Sequence, residues 1–312
     1  LKKKITFGLN LFDFVLSNTY ILKKFNTMKA KKILVIVATI AVLSLNSCSK
    51  DDKSTDSAIT AQDAAINSKM DQASNDISDV TEDQFLQQSQ SASGKAYLLP
   101  ISILPPCATL TTTATSTTWT RTVDFGTSGC ALPNGNILKG KIIVSGLLDF
   151  ASPYVLHYSF DNFYHNGNLI QGDRTVTRTF TTSINSPNSH PIHMIDINMT
   201  VTFPNGEVYT RVGTRTRECV ANFGNGIWGD NVYVFYGTVT TTKPNGSQHT
   251  NTILEATPLR IDMNCTYKII SGIISISKPN HSAIINYGDG TCDNNATIAI
   301  DGGTPVAFTF GN

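Results

Sequence analysis

From Ile195 to Phe203 the chain alternates Ile, Met, Val and Phe with Asp, Asn and Thr, an apolar residue at every second position. Only a strand sends successive side chains to opposite faces, so this spacing calls for a sheet with one face on a core and one in water. Sheets of that kind are characteristically antiparallel. The turn chemistry agrees. Pro-Asn-Gly begins at Pro133, Pro204 and Pro244, His-Asn-Gly at His165 and Asp-Gly-Gly at Asp301, and Asn and Gly tolerate the positive φ that hairpin turns demand. Threonine-rich runs such as Thr109–Thr122 suit a pleated surface. Roughly twelve strands in about 205 residues, without helical crossovers, predict an all-β domain over 107–312: an antiparallel meander forming a sandwich or barrel-like body. A membrane-spanning barrel is not expected, because no regular aromatic girdles appear.

A different period precedes it. In the segment 59–106, Ile59, Ile66, Met70, Ala73, Ile77 and Val80 recur at spacings of three, four or seven, one stripe of a short amphipathic helix reaching about Gln88. The stripe is expected to dock on the following domain or on a partner. Ser- and Gln-rich sequence closes the helix, and Pro100, Pro105 and Pro106 mark the next boundary.

The N-terminal region carries an address. Met28 is the first methionine; Lys29, Lys31 and Lys32 follow, then Ile33 to Leu45 without a charge. That is a secretory signal, too short for a comfortable transmembrane helix. Residues 28–47 are therefore read as a signal peptide and 1–27 as a non-native upstream extension. Leu45-Asn46-Ser47-Cys48 resembles a bacterial lipobox, which implies cleavage before Cys48 and a diacylglycerol on its sulfur. Each buried acyl methylene contributes about 0.8 kcal/mol, so several chains on one residue anchor the protein to a membrane. Lys50, Asp51 and Asp52 resemble the export signal of Bacteroidota surface lipoproteins. Asp56-Ser57-Ala58 resembles the O-glycosylation motif of that phylum, which makes Ser57 a candidate glycan acceptor. The segment 48–58 reads as a polar tether, and the expected location is the outer membrane, lipid-anchored, at the cell surface.

Eight of the 24 basic residues and one of the 23 acidic residues precede Cys48, leaving 16 and 22 and a net charge of −6 after processing. The excess lies between Ser49 and Pro106; the β region is near neutral. No cationic cluster suits a phosphate backbone, so nucleic acid is not an expected partner.

Setting Cys48 aside leaves five cysteines. Thr122–Cys130 (TVDFGTSGC) echoes Ile284–Cys292 (IINYGDGTC), and each is preceded by another cysteine at a similar distance. Disulfides persist in secreted proteins, so Cys107–Cys130 and Cys265–Cys292 are the expected bridges, stabilising by about 3 kcal/mol each. Cys219 is left as a buried thiol. The echo suggests two related sheets.

Signatures of catalysis are missing: there is no HExxH, nucleophile elbow or phosphate loop. His190 and His193 face opposite sides of a strand and should not converge on a metal. Asp289, Asp293 and Asn294 read as turn caps in preference to calcium ligands. Neither metal nor cofactor is expected. Arg211, Arg215 and Arg217 share a strand face with Tyr209, and Arg174 and Arg178 alternate on another strand. If those strands adjoin, the five arginines form a candidate ligand patch for anionic glycans or carboxylates; the plainer reading is a solvated, charge-balanced face. Tyr154, Leu156, Tyr158 and Phe160 read as core, whereas Phe163 and Tyr164 near Asn166 are candidates for stacking on sugar rings.

The β region as a whole resembles uncharacterised Bacteroidota outer-membrane and surface lipoproteins carrying FGxxxC, FxNFYxNG and YGxGxCDN elements, here Phe125–Cys130, Phe160–Gly167 and Tyr287–Asn294. The resemblance implies architecture and address and contributes no catalytic residue. The expectation is a lipid-anchored, surface-exposed binding or structural module without catalysis, partnered by the membrane and by a glycan or another envelope protein. The alternative is a hydrolase of external polysaccharide or protein, using paired carboxylates that leave no local signature.

Overall fold

The computed structural model describes residues 58–94, 101–266 and 268–310, all within the unit Thr55–Asn312. The signal segment, Cys48, Lys50, Asp51, Asp52 and Ser57 lie outside the described residues.

Thr60 starts the helix α1 (Ala61–Ala92) by a reciprocal cap. Its hydroxyl accepts from the Asp63 N–H at 3.2 Å, and the Asp63 carboxylate accepts from the Thr60 N–H at 2.9 Å. Helix geometry gives its 32 residues a length of about 48 Å.

The strands follow in short steps. First come β1 (Thr109–Ala114), β2 (Thr118–Asp124), β3 (Cys130–Ala131), β4 (Ile137–Leu147) and β5 (Tyr154–His165). The longest are β6 (Asn168–Ser183), β7 (Ser186–Thr202) and β8 (Val208–Ala221). Then come β9 (Val232–Thr242), β10 (Gln248–Ile253), β11 (Leu259–Asp262) and β12 (Ile269–Lys278). The last are β13 (His281–Asp289), β14 (Asn295–Ile300) and β15 (Val306–Thr309). All 15 belong to one antiparallel sheet in chain order, except that β3 pairs only with β4 and β11 bridges β9 and β12. The two end strands, β1 and β15, do not pair with each other. The meander expected from the turn chemistry is therefore present, in one sheet that curls into a barrel-like body.

What it curls around is α1. The apolar stripe Met70, Ala73, Ile77 and Val80 shares a core with Trp119, Ile142, Leu156 and Ile195 from four strands. Ile59 and Ala64 join a second core with Ile261, Ile274, Ile285 and Ile298. Burying each such aliphatic side chain contributes about 1.5–3 kcal/mol. The helix is more than one-sided, however: every residue from Asp76 to Phe85 is buried. A sheet that wraps the helix leaves that stretch no wet face, so α1 and the strands share one interior.

The two echoed segments adopt the same local turn at opposite ends of this one sheet, which corrects the expectation of two sheets. Asp124 Oδ1 accepts from the Gly126 N–H at 2.8 Å, and Asn286 Oδ1 from the Gly288 N–H at 2.9 Å. Each turn buries the aromatic between them, Phe125 and Tyr287. Cys107–Cys130 and Cys265–Cys292 are bridged with Cα separations of 5.9 and 5.3 Å. Cys219 is buried, and that burial pushes its thiol up to about 12. One glycine is indispensable to the curl. At the β4–β5 register shift Gly140 has φ +80°, and a Cβ there would lie 1.9 Å from the Asn162 carbonyl oxygen.

Candidate functional site

The five arginines do not form an exterior ligand patch. Arg174, Arg211, Arg215 and Arg217 are buried and Arg178 nearly so. Strands β6 and β8 also do not adjoin, because β7 runs between them. All five point inward to the helix. Arg211 pairs with Asp71 and donates to Asn67 Oδ1 at 2.6 Å, Arg217 pairs with Asp79, and Arg178 Nε meets Glu82 Oε1 at 3.3 Å. Arg174 donates to Ser74 Oγ at 2.8 Å, and Arg215 to the Gly237 carbonyl. Thus the acids of α1 are matched by cations of the sheet, and charge is buried only where it is paired or hydrogen-bonded. Burial alone would raise the Glu82 carboxyl, but His193, Arg178 and Arg217 outweigh it and hold the group at about 2. Arg215, desolvated without a carboxylate in contact, falls to about 10.

His190 and His193 do face opposite sides. His193 points inward, its Nε2 3.2 Å from Glu82 Oε2 but off the hydrogen-bond direction. His190 points outward to Glu218, which also accepts from Ser183, Asn185 and Tyr236. The turn Asp289–Asn295 is closed by its own side chains: Asp289 Oδ1 accepts from the Thr291 N–H and Asp293 Oδ1 from the Asn295 N–H. Among the described residues, no set of three metal-ligating side chains is poised to hold an ion. Phe163 is buried in the core and is no exposed stacking platform, and Tyr164 is half-buried beneath Lys139.

The best-formed cleft lies between α1 and the surrounding sheet. Ser68, Gln72, Asn75, Asp76 and Asp79 line it from the helix; Asn134 and Asn136 from the β3–β4 turn; and Arg217, Tyr233, Phe235 and Ile261 from the opposite strands. The cavity measures about 350 Å³ and runs into a second of about 610 Å³, sharing Asp76, Asp79, Asn134 and Lys268. Ile227 and Trp228, from the loop between β8 and β9, form the outer wall of the second. Asp76 is the organiser of one side. Its oxygens accept from Asn134 Nδ2 at 2.7 Å and Asn136 Nδ2 at 2.6 Å, and lie 2.8 Å from His165 Nε2. Asp79 stands one helical turn away, its carboxyl raised by burial and by Asp76 against the pull of Arg217. Arg217 stacks 3.7 Å from the Tyr233 ring centroid, which desolvates the cation–π contact and strengthens it.

None of Asp76, Asp79, Asn134, Asn136, Tyr233 or Trp228 was marked by sequence reasoning. Asp76 and Asp79 sit three apart on a polar helix face, a spacing indistinguishable from a solvated face until the sheet is seen to enclose it. Comparison with protein families, with characterised proteins and with solved structures returned no match.

Proposed function

We propose that this protein is a lipid-anchored module of the cell envelope that binds a saccharide in the cleft beside α1. One observation carries the reading: a concave site in which planar amides, a carboxylate and an aromatic ring converge, from Gln72, Asn75, Asn134, Asn136, Asp76 and Trp228. Planar polar groups satisfy sugar hydroxyls, and aromatic faces suit the apolar faces of the rings. The lipobox at Cys48 and the acidic run behind it support an outer-membrane, surface-facing anchor, with Ser57 as a glycan acceptor on the tether.

Hydrolysis is the weaker reading. It needs one free acid and one free base, whereas Asp76 has both oxygens committed and Asp79 already holds Arg217. The test is a saccharide-binding screen on the full-length protein in detergent, with product analysis in parallel. Retention of a defined oligosaccharide, lost in Asn134→Ala, is the expected result. Release of shorter products would overturn the non-catalytic reading, and no retention of any saccharide would overturn the proposal. For the anchor, metabolic labelling with an alkynyl fatty acid should mark the wild type and spare Cys48→Ser.

A further inference from the structure

The cleft has more hydrogen-bond donors than the described residues use. Arg217 is 2% exposed and lines the cavity, yet its Nε and Nη1 bond to nothing among the described residues; only Nη2 meets Asp79. Lys268 lines both halves of the cleft and makes no ion pair among the described residues, its Nζ resting 3.6 Å from the Met263 sulfur, a weak acceptor. Trp228, on the outer wall, has its indole Nε1 buried and unpartnered. A buried donor left without an acceptor costs about 1–3 kcal/mol, more when charged, so the Arg217 and Trp228 donors, with the weakly engaged Lys268 ammonium between the two halves of the cleft, mark where acceptor oxygens belong. The two carboxylates nearby do not satisfy these donors: Asp76 is saturated by Asn134, Asn136 and His165, and Asp79 meets Arg217 through Nη2 alone and acts on Lys268 without an ion-pair contact.

Resting on the saccharide reading above, we propose that the ligand is an acidic saccharide whose anionic group, carboxylate or sulfate, is held between Arg217 and Lys268. Guanidinium and ammonium donors bind such oxygens by charge-assisted hydrogen bonds, the strongest kind available to a protein. The ring carrying the acid then lies toward the amide wall, and the remaining chain runs out past Trp228.

The experiment is isothermal titration of the full-length protein in detergent with three probes of equal length: an oligogalacturonate, a sulfated galactan oligosaccharide and a neutral cello-oligosaccharide. At least one acidic probe should bind at least tenfold tighter than the neutral one, and its affinity should fall as sodium chloride rises. Comparison of the two acidic probes identifies carboxylate or sulfate as the group recognised. Lys268→Gln alters a half-buried side chain and should fold; it should weaken the acidic probe fivefold or more and weaken the neutral probe much less. Arg217→Lys should weaken it further, and if that variant does not fold, Lys268→Gln and the salt series decide the matter. Equal or tighter binding of the neutral probe would overturn this inference while leaving the saccharide site intact. Unchanged acidic affinity in Lys268→Gln would do the same. No binding of any of the three overturns both.

Discussion

Glu82 offers the sharpest test of the buried charge pairing. It lies in the fully buried middle of α1, with Arg178 at 3.3 Å and His193 at 3.2 Å. Replacing it by Gln keeps the shape and an acceptor for Arg178 but removes the charge. With the carboxyl at about 2 in the folded protein and 4.5 as its ordinary value, the difference converts to up to about 3 kcal/mol of stability at neutral pH, where His193 is uncharged and Arg178 and Arg217 carry the pairing. That agrees in size with the about 3–5 kcal/mol lost when one partner of a buried ion pair is removed. The sign follows from the depressed carboxyl. Its contribution is full above pH 4.5 and is lost as pH falls toward 2. His193 is likewise held below its ordinary value, chiefly by burial, so the wild type also begins to lose stability below about pH 6.5 as the unfolded histidine takes up a proton. Urea unfolding at pH 7, 5, 4 and 3 separates the two. Glu82→Gln should be about 3 kcal/mol less stable at pH 7, a melting shift of about 6–12 °C for a domain of this size, and the gap should narrow between pH 4.5 and 3. A variant within about 0.5 kcal/mol of wild type at pH 7, or an equal gap at pH 7 and pH 3, would refute the electrostatic account.

Four further outcomes follow from the same structure. A chain starting at Cys107 lacks α1 and should fail to fold, giving no cooperative melt; a folded body would show that the helix is dispensable to the core. Gly140→Ala should destabilise severely, because its Cβ meets backbone at 1.9 Å, whereas Gly246→Ala, at φ +80° with nothing within 4 Å, should cost only the about 1–2 kcal/mol of a left-handed alanine. Paired denaturation curves check the contrast. Replacing both Cys107 and Cys130 by Ser opens a loop with a separation of 23 residues and should lower stability by about 3 kcal/mol. The Cys219 thiol, at about 12, should resist a thiol reagent in the native protein bearing Cys48→Ser and react once urea unfolds it; rapid native labelling would mean that it is not buried.

Much of the architecture was legible because strand periodicity and turn chemistry are local. The alternation at Ile195–Phe203, the Asn-Gly turns and the stripe from Ile59 to Val80 each report their own backbone. The disulfide pairs and the two echoed turns were legible for a similar reason, since each motif carries its own aspartate or asparagine and its own glycine. The inward orientation of the arginines was not. Alternation places Arg211, Arg215 and Arg217 on one face but does not say which face is inside, and charged residues in water are the usual case. The answer rested on a helix more than a hundred residues upstream, whose acids lie at positions that look solvated when read alone.

The sequence by itself determined the antiparallel meander, its bridges and the helix, because each is written within a few neighbouring residues. Only the tertiary structure decided that the sheet closes around the helix and that its arginines answer the helix's acids. It alone brings Asp76, Asp79, Asn134, Arg217 and Lys268 together in one cleft. Those groups lie on segments far apart in the chain, and pairing across such distances depends on the curl of the whole sheet, which no local pattern encodes.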